Sequence, residues 1–75
     1  MNELSRADLA DLKNRFTYHA PKGDQQPRYE FLRATALGLA VAISERVPAG
    51  RERALALTNL EQAIFWANAG IARNE

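Results

Sequence analysis

The strongest constraint on the fold is a short break between two long stretches of helical periodicity. Apolar residues recur at spacings of three and four over residues 27–47 and again over residues 51–73, which is the pattern of amphipathic helices. Between them, Val47-Pro48 should end one helix and Ala49-Gly50 should form the turn. A connection of about three residues makes long helices antiparallel neighbours. The sequence therefore predicts an all-α fold built on a long antiparallel αα-hairpin.

The residues that we assign to the buried stripes of the hairpin are Leu32, Ala36, Leu39 and Ile43 in the first helix, and Leu57, Leu60, Ile64, Ala67 and Ile71 in the second.

A short N-terminal helix is predicted before the hairpin, over residues 5–15. Ser5 followed three residues later by Asp8 resembles a capping box in which Asp replaces the usual Glu, and Leu9 and Leu12 follow at helical spacing. Pro27 fits the first turn of the next helix, where a missing N–H costs nothing.

The loop that connects these helices is rich in aromatic and basic side chains, and loops on rigid scaffolds often carry binding residues. The rings of Phe16 and Tyr18 offer surfaces on which a base can stack, and Lys22, Arg28 and Arg33 offer positive charge to phosphates. We therefore expect a binding loop.

His19 is a further candidate ligand contact in this loop, and three of the candidates also have a simpler interpretation. Phe16 fits a hydrophobic plug beneath the loop, His19 fits a hydrogen-bonding partner within the loop, and Lys22 fits a solvated charge.

Length and composition limit the protein further. A single domain over residues 1–75 buries only roughly 60% of the surface of its unfolded chain, and the sequence has no cysteine and one histidine. Neither a disulfide nor a credible metal site stabilises it, so we expect a homo-oligomer. Ten basic against nine acidic residues argue against a general electrostatic grip on DNA.

No membrane segment or signal peptide is expected. The charge-free run over residues 34–44 is far shorter than the ~20 residues that cross a bilayer, and the first residues lack the basic-then-apolar order of a signal peptide. We expect a soluble, intracellular protein.

Neighbouring positions on the helices point to more than one contact surface. Phe65 and Trp66 are adjacent and so lie about 100° apart around their helix. We expect one of them to meet another subunit, the alternative being that the short first helix covers it. Arg33 and Thr35 lie about 200° apart, so if both bind ligand there should be two pockets or a pocket shared between subunits.

We find no catalytic constellation in the sequence. His19 has no cysteine to activate and no serine near it, and the carboxylates are scattered over what read as solvated helix faces. We expect a binding protein without a cofactor, not an enzyme.

Several short blocks of residues are distinctive in their order and spacing over nearly all of the chain after the first ten residues. These blocks are Asn14-Arg15-Phe16-Thr17-Tyr18-His19, Asp24-Gln25, Arg28-Tyr29-Glu30, Arg51-Glu52-Arg53, Leu55-Ala56-Leu57-Thr58, Trp66-Ala67-Asn68-Ala69 and Ile71-Ala72-Arg73-Asn74. Through these blocks the sequence resembles a family of small phage proteins that counter CBASS immunity by sequestering its cyclic oligonucleotide messengers.

The resemblance implies a compact helical homohexamer in the host cytoplasm that binds cyclic nucleotides without cleaving them. It places Tyr18 on a base and Arg33 on the phosphates of a cyclic dinucleotide of the cyclic GMP-AMP type, between two subunits. It places Thr35 and Arg73 in a second site for a cyclic trinucleotide such as cyclic tri-adenylate. The related anti-Thoeris sponges, which take an ADP-ribose-derived cyclic messenger, are a second expectation for the ligand.

Two other classes of function stay open at this stage. The apolar hairpin would also suit a protein-interaction module that has no small ligand. A DNA-binding helix-turn-helix fits less well, because it needs a basic recognition helix.

Overall fold

The computed structural model describes residues 3–75, which fold into three helices and no strand. Helix α1 spans Arg6–Phe16, α2 spans Gln25–Arg46, and α3 spans Arg51–Asn74. The predicted all-α class and the helical hairpin are confirmed. No helix within residues 3–75 is long and apolar enough to cross a membrane.

Helix α1 begins with the predicted capping box. The backbone N–H of Asp8 donates to Ser5 Oγ over 3.0 Å, and the N–H of Ser5 donates to Asp8 Oδ2 over 3.2 Å. These bonds satisfy amide groups that have no partner inside the helix. The helix ends when Thr17 turns to an extended conformation, one residue later than the sequence predicts.

Helix α2 begins at Gln25, two residues before the predicted start at Pro27. The proline still lies in the first turn, where its missing N–H removes no intrahelical bond. The N–H of Gln25 donates to the carbonyl of Lys22 over 3.0 Å, and this bond closes a turn that leads into α2.

The connection between α2 and α3 is as short as predicted. Val47 is extended, as a residue before proline prefers, and its N–H donates to the carbonyl of Ile43 over 2.9 Å. Arg53 reaches back from α3 and donates to the carbonyls of Ser44 and Val47 over 3.1 and 3.2 Å. The arginine thus caps the end of α2 and fixes the turn.

The buried stripes differ from the predicted ones at one position in each helix. Leu39 is 51% exposed and Ala40 is half-buried in its place, while Ala67 is exposed and Asn68 is half-buried. The stripe follows spacings of four, four and three along α2. Which of two neighbouring residues faces the partner helix depends on how the helices cross, and the periodicity of one helix does not contain that information.

The hairpin is flat and encloses no hydrophobic core. The chain measures 50 × 37 × 13 Å, and within residues 3–75 no apolar side chain is fully buried. Phe65 and Trp66 do point apart, toward different grooves, and Trp66 is 68% exposed. The alternative in which α1 covers the second aromatic is therefore wrong for a single chain. The predicted compact hexamer stays a prediction.

Two glycines allow a paired test of this backbone. Gly23 has a φ of +56° and Gly38 lies inside α2, and a Cβ at either position meets no atom within 4 Å. We predict that Gly23→Ala lowers the free energy of unfolding by roughly 1 kcal/mol, because alanine is strained in the left-handed region. Gly38→Ala should raise it by roughly 0.5–1 kcal/mol through helix propensity.

Urea unfolding at one fixed protein concentration measures both variants. A loss of stability in Gly38→Ala would contradict the open space at that position.

Candidate functional site

A groove of about 440 Å³ lies where the loop after α1 meets the first turns of α2 and the last turns of α3. The side chains with rings or charge that line it are Arg15, Tyr18, His19, Tyr29, Arg33 and Arg73. None of the described residues that line it is acidic. Three guanidinium groups without a carboxylate among them make this groove electropositive, although the whole chain is nearly neutral.

The arginines of the groove differ in their existing partners. Arg15 lies 3.6 Å from Asp11 in a solvent-exposed pair and stacks near the ring of Phe16, 5.7 Å from its centroid. Neither Arg33 nor Arg73 makes an ion pair with any residue between 3 and 75. Their charges are therefore free to meet an anion, and guanidinium is suited to phosphate because it donates two parallel bonds.

Tyr18 presents an almost unpacked ring to this groove. The extended conformation of Thr17 carries the chain away from α1, and Tyr18 is 83% exposed. A ring that has no packing role in its own chain is available to stack on a ligand or on another copy.

His19 belongs to the loop between α1 and α2, and its side chain is half-buried. Its ring nitrogen Nε2 is 2.7 Å from the carbonyl oxygen of Asn14. A carbonyl only accepts, so Nε2 carries the proton and donates. The structure thus gives His19 a local hydrogen bond, to the end of α1 and not within the loop, while contact with a ligand stays a prediction.

Phe16 and Lys22 lie at the edges of the site. Phe16 is 79% exposed, so the interpretation of this ring as a plug beneath the loop is wrong. The side chain of Lys22 is exposed and does not line the groove. Its backbone is engaged instead: the N–H donates to Gln25 Oε1 over 3.1 Å, and the carbonyl accepts from the N–H of Gln25 over 3.0 Å.

The two residues expected in a second site are not neighbours within one chain. Arg73 lines the same groove as Tyr18 and Arg33, whereas Thr35 is exposed, lies outside that groove, and donates its hydroxyl to the carbonyl of Phe31 over 2.8 Å. The opposite directions of Arg33 and Thr35 on α2 agree with this separation. A site that contains both Thr35 and Arg73 therefore requires a second chain.

Among the groove residues with polar or aromatic side chains, sequence reasoning did not name Arg15, Thr17, Tyr29 and Asn68 as ligand contacts. Tyr29 lies one helical turn before Arg33, and this spacing of four was a usable signal. The side-chain oxygen of Asn68 is buried without a hydrogen-bond partner within residues 3–75. Asn68 and Arg33 also line a second, more apolar groove of about 570 Å³ between α2 and α3, so the two grooves meet at these residues.

The model of the family described as "Acb2/Tad1, hairpin domain" matches residues 8–72, from the first half of α1 to the last turn of α3. The chain belongs to the Acb2/Tad1 hairpin family. This is the anti-CBASS sponge family that the sequence resembles, so that expectation is confirmed. It is a family of phage anti-defence proteins of the sponge type, which act by binding. No curated protein and no solved structure matches the chain.

In this member of the Acb2/Tad1 hairpin family, Arg28 forms ion pairs with two carboxylates of the same chain. Its Nη1 donates to Glu75 Oε2 over 2.8 Å, its Nη2 donates to Glu75 Oε1, and Asp24 lies 3.1 Å away. The expectation that Arg28 offers charge to a phosphate is therefore wrong, because two carboxylates already neutralise it. The pair ties the residue after α3 to the first turn of α2.

These hydrogen bonds from Arg28 are the main reason that the pKa of Glu75 falls from about 4.5 to about 2. The same pair raises the pKa of Arg28. A lowered carboxyl pKa stabilises the folded state at every pH above the unfolded value, and this contribution is lost as pH falls toward the folded value. The interaction is thus fully present at neutral pH.

We predict that Glu75→Gln is less stable than the natural protein at pH 6 and that the difference shrinks between about pH 4.5 and pH 2. Thermal unfolding across this range measures it. Glu45→Gln, at the exposed far end of α2, controls for the loss of one negative charge. A difference that stays constant down to pH 2 would contradict the assigned pair.

Proposed function

We propose that this chain binds and sequesters a cyclic dinucleotide of the cyclic GMP-AMP type, and that it releases the messenger uncleaved. The observation that supports this most directly is the groove in which Tyr18 stands beside the unpaired guanidinium groups of Arg33 and Arg73. A cyclic dinucleotide carries two phosphodiesters and two bases. It therefore needs a few local cations and rings, which the groove supplies, and no basic surface.

The residues divide this work by their chemistry. The ring of Tyr18 stacks on a base, which is worth ~1–3 kcal/mol, and Arg33 donates to a phosphate. Phe16 and His19 lie beside Tyr18 in sequence and are proposed as secondary contacts, as is the side chain of Lys22 if the loop closes over the ligand.

Assembly completes the site in this proposal. The groove of a single chain is wide open, and ligand sites generally bury most of the ligand surface. A second copy placed over the flat hairpin would cover both the ligand and exposed rings such as Phe65 and Trp66. A homohexamer in the host cytoplasm is the assembly that we propose from the family resemblance.

A second pocket for a cyclic trinucleotide such as cyclic tri-adenylate is proposed at Thr35 and Arg73. Since one chain keeps these residues apart, the pocket would take Thr35 from one subunit and Arg73 from another.

An ADP-ribose-derived cyclic messenger is the second candidate ligand. The matched family unites two groups under one hairpin domain, and sequence resemblance connects one of them with that messenger. Guanidinium groups and rings suit any nucleotide that carries phosphates, so the binding test includes this ligand.

We predict that Tyr18→Ala and Arg33→Ala each weaken binding of cyclic GMP-AMP by about tenfold or more, because they remove a base-stacking ring and a charge-assisted donor. Isothermal titration calorimetry gives the affinities, and circular dichroism checks that the variants keep their helices. Arg51→Ala removes a charge outside the groove and should bind like the natural protein.

Native mass spectrometry before and after heat denaturation tests sequestration directly. The expected result is stoichiometric uptake and return of intact messenger. Unchanged affinity in both Tyr18→Ala and Arg33→Ala would reject this pocket, and no uptake of any cyclic nucleotide or ADP-ribose-derived messenger would favour a protein partner.

A second pair of variants separates the two proposed pockets. Arg73 lines the groove beside Tyr18, whereas Thr35 does not. Arg73→Ala should therefore weaken the cyclic dinucleotide by about tenfold, and Thr35→Ala should leave that ligand unaffected while weakening cyclic tri-adenylate. Competition titrations with both ligands measure this pattern, and a dinucleotide affinity that depends on Thr35 would contradict it.

A further inference from the structure

Polar side chains hold both ends of the loop over residues 17–24, here called the binding loop. The ring of Phe16, just before the loop, and the ring of Tyr18, within it, are both exposed, so neither ring anchors the loop to the hairpin. Its order depends on hydrogen bonds instead. Two of the side chains involved, Asn14 and Gln25, reach the same end of α3.

Asn14 connects the start of the loop with the last turn of α3. Its side-chain Nδ2 donates to the carbonyl of Arg73 over 3.2 Å, and its backbone carbonyl accepts from the ring of His19 over 2.7 Å. One residue on α1 therefore fixes both a loop residue and the backbone that carries Arg73.

Gln25 makes the equivalent connection at the other end of the loop. Its Oε1 accepts from the backbone N–H of Lys22 over 3.1 Å, and its Nε2 donates to Glu75 Oε1 over 3.4 Å. The bidentate ion pair with Arg28 holds Glu75 in position. The loop, the start of α2 and the end of α3 are thus joined through one amide.

The burial of Gln25 is unusual for this chain. It is 3% exposed, whereas no apolar side chain within residues 3–75 is buried. Burying an amide is unfavourable unless its polar atoms are bonded, and both ends of this amide are bonded. Since no apolar side chain within residues 3–75 is buried with it, the main effect of Gln25 is to fix the positions of the segments that it bonds.

We propose that Asn14 and Gln25 are positioning residues, which fix the binding loop against the end of α3 and so hold Tyr18 and Arg73 in one groove before ligand arrives. The inference rests on the proposed function of this groove. Ordering a loop residue costs conformational entropy, and a loop ordered in advance spares the ligand that cost.

The first test reads the loop without ligand. Gln25→Leu keeps the buried volume and removes both hydrogen bonds, and Gln26→Leu is the matched control at the exposed neighbouring position. Hydrogen exchange at the Lys22 amide, measured by NMR, should accelerate about tenfold in Gln25→Leu relative to the control.

The second test measures affinity for cyclic GMP-AMP by calorimetry. Gln25→Leu should bind about three- to tenfold more weakly than Gln26→Leu, which is the scale of one or two lost hydrogen bonds. Asn14→Ala, which favours helix α1, should show the same loss, so the result does not depend on one variant folding.

A rescue distinguishes positioning from simple destabilisation. Gln25→Glu alone places a carboxylate against Glu75 and should weaken binding. Combining it with Glu75→Gln reverses donor and acceptor across the same contact and leaves an acceptor for the Lys22 amide, although it loses the ion pair with Arg28. The double variant should therefore recover part of the slow exchange and part of the affinity that Gln25→Glu loses.

The outcomes separate this inference from the proposed function. Equal exchange in Gln25→Leu and Gln26→Leu overturns it, and so does faster exchange with unchanged affinity. If the natural protein binds neither cyclic GMP-AMP nor an ADP-ribose-derived messenger, the proposed function fails. In that case the positioning role is overturned with it, and the exchange data show whether the two side chains still order the loop.

Discussion

The antiparallel contact between α2 and α3 is the interaction on which the rest of this structure depends. It is the main packing of one element on another, and it joins two surfaces that are only half-buried. A pair of helices has no third layer to close over it, and the chain is only 13 Å thick in its shortest dimension. Large apolar side chains on both faces are left in contact with solvent. A domain this small has little surface to bury, and these side chains stay exposed in the single chain.

Polar contacts join α1, the binding loop and the start of α2 to the end of α3. Helix α1 and the binding loop are tied to α3 by Asn14, and the start of α2 is tied to it by Gln25 and the Arg28–Glu75 pair. Hydrogen bonds are directional, so they fix positions more sharply than apolar contacts of the same strength. Each hydrogen bond contributes only about 1 kcal/mol net to stability, however. The shape of the groove is therefore well defined, but the contacts that maintain it are weak. Ligand or a neighbouring subunit would complete its order.

The charges of this end of the molecule are arranged by the same contacts. Arg28 is neutralised by Glu75 and Asp24, whereas neither Arg33 nor Arg73 makes an ion pair with any residue between 3 and 75. A nearly neutral chain can therefore present a local positive groove without a basic surface. Local charge of this kind suits a small anion with few phosphates, whereas DNA binding draws on many phosphate contacts.

The sequence by itself determined the features that depend on neighbouring residues. The capping box at Ser5, the break around Val47 and Pro48, and the existence of three helices all follow from interactions over a few positions, and the family was recognisable from the order of short blocks. The tertiary structure decided the rest. It buried Ala40 and Asn68 in the stripes in place of Leu39 and Ala67. It also paired Arg28 with carboxylates of the same chain and placed Arg73 beside Tyr18. These outcomes depend on contacts between residues far apart in the sequence, which for Arg28 and Arg73 are 47 and 59 positions from their partners. The crossing of two helices is not encoded in the periodicity of either helix.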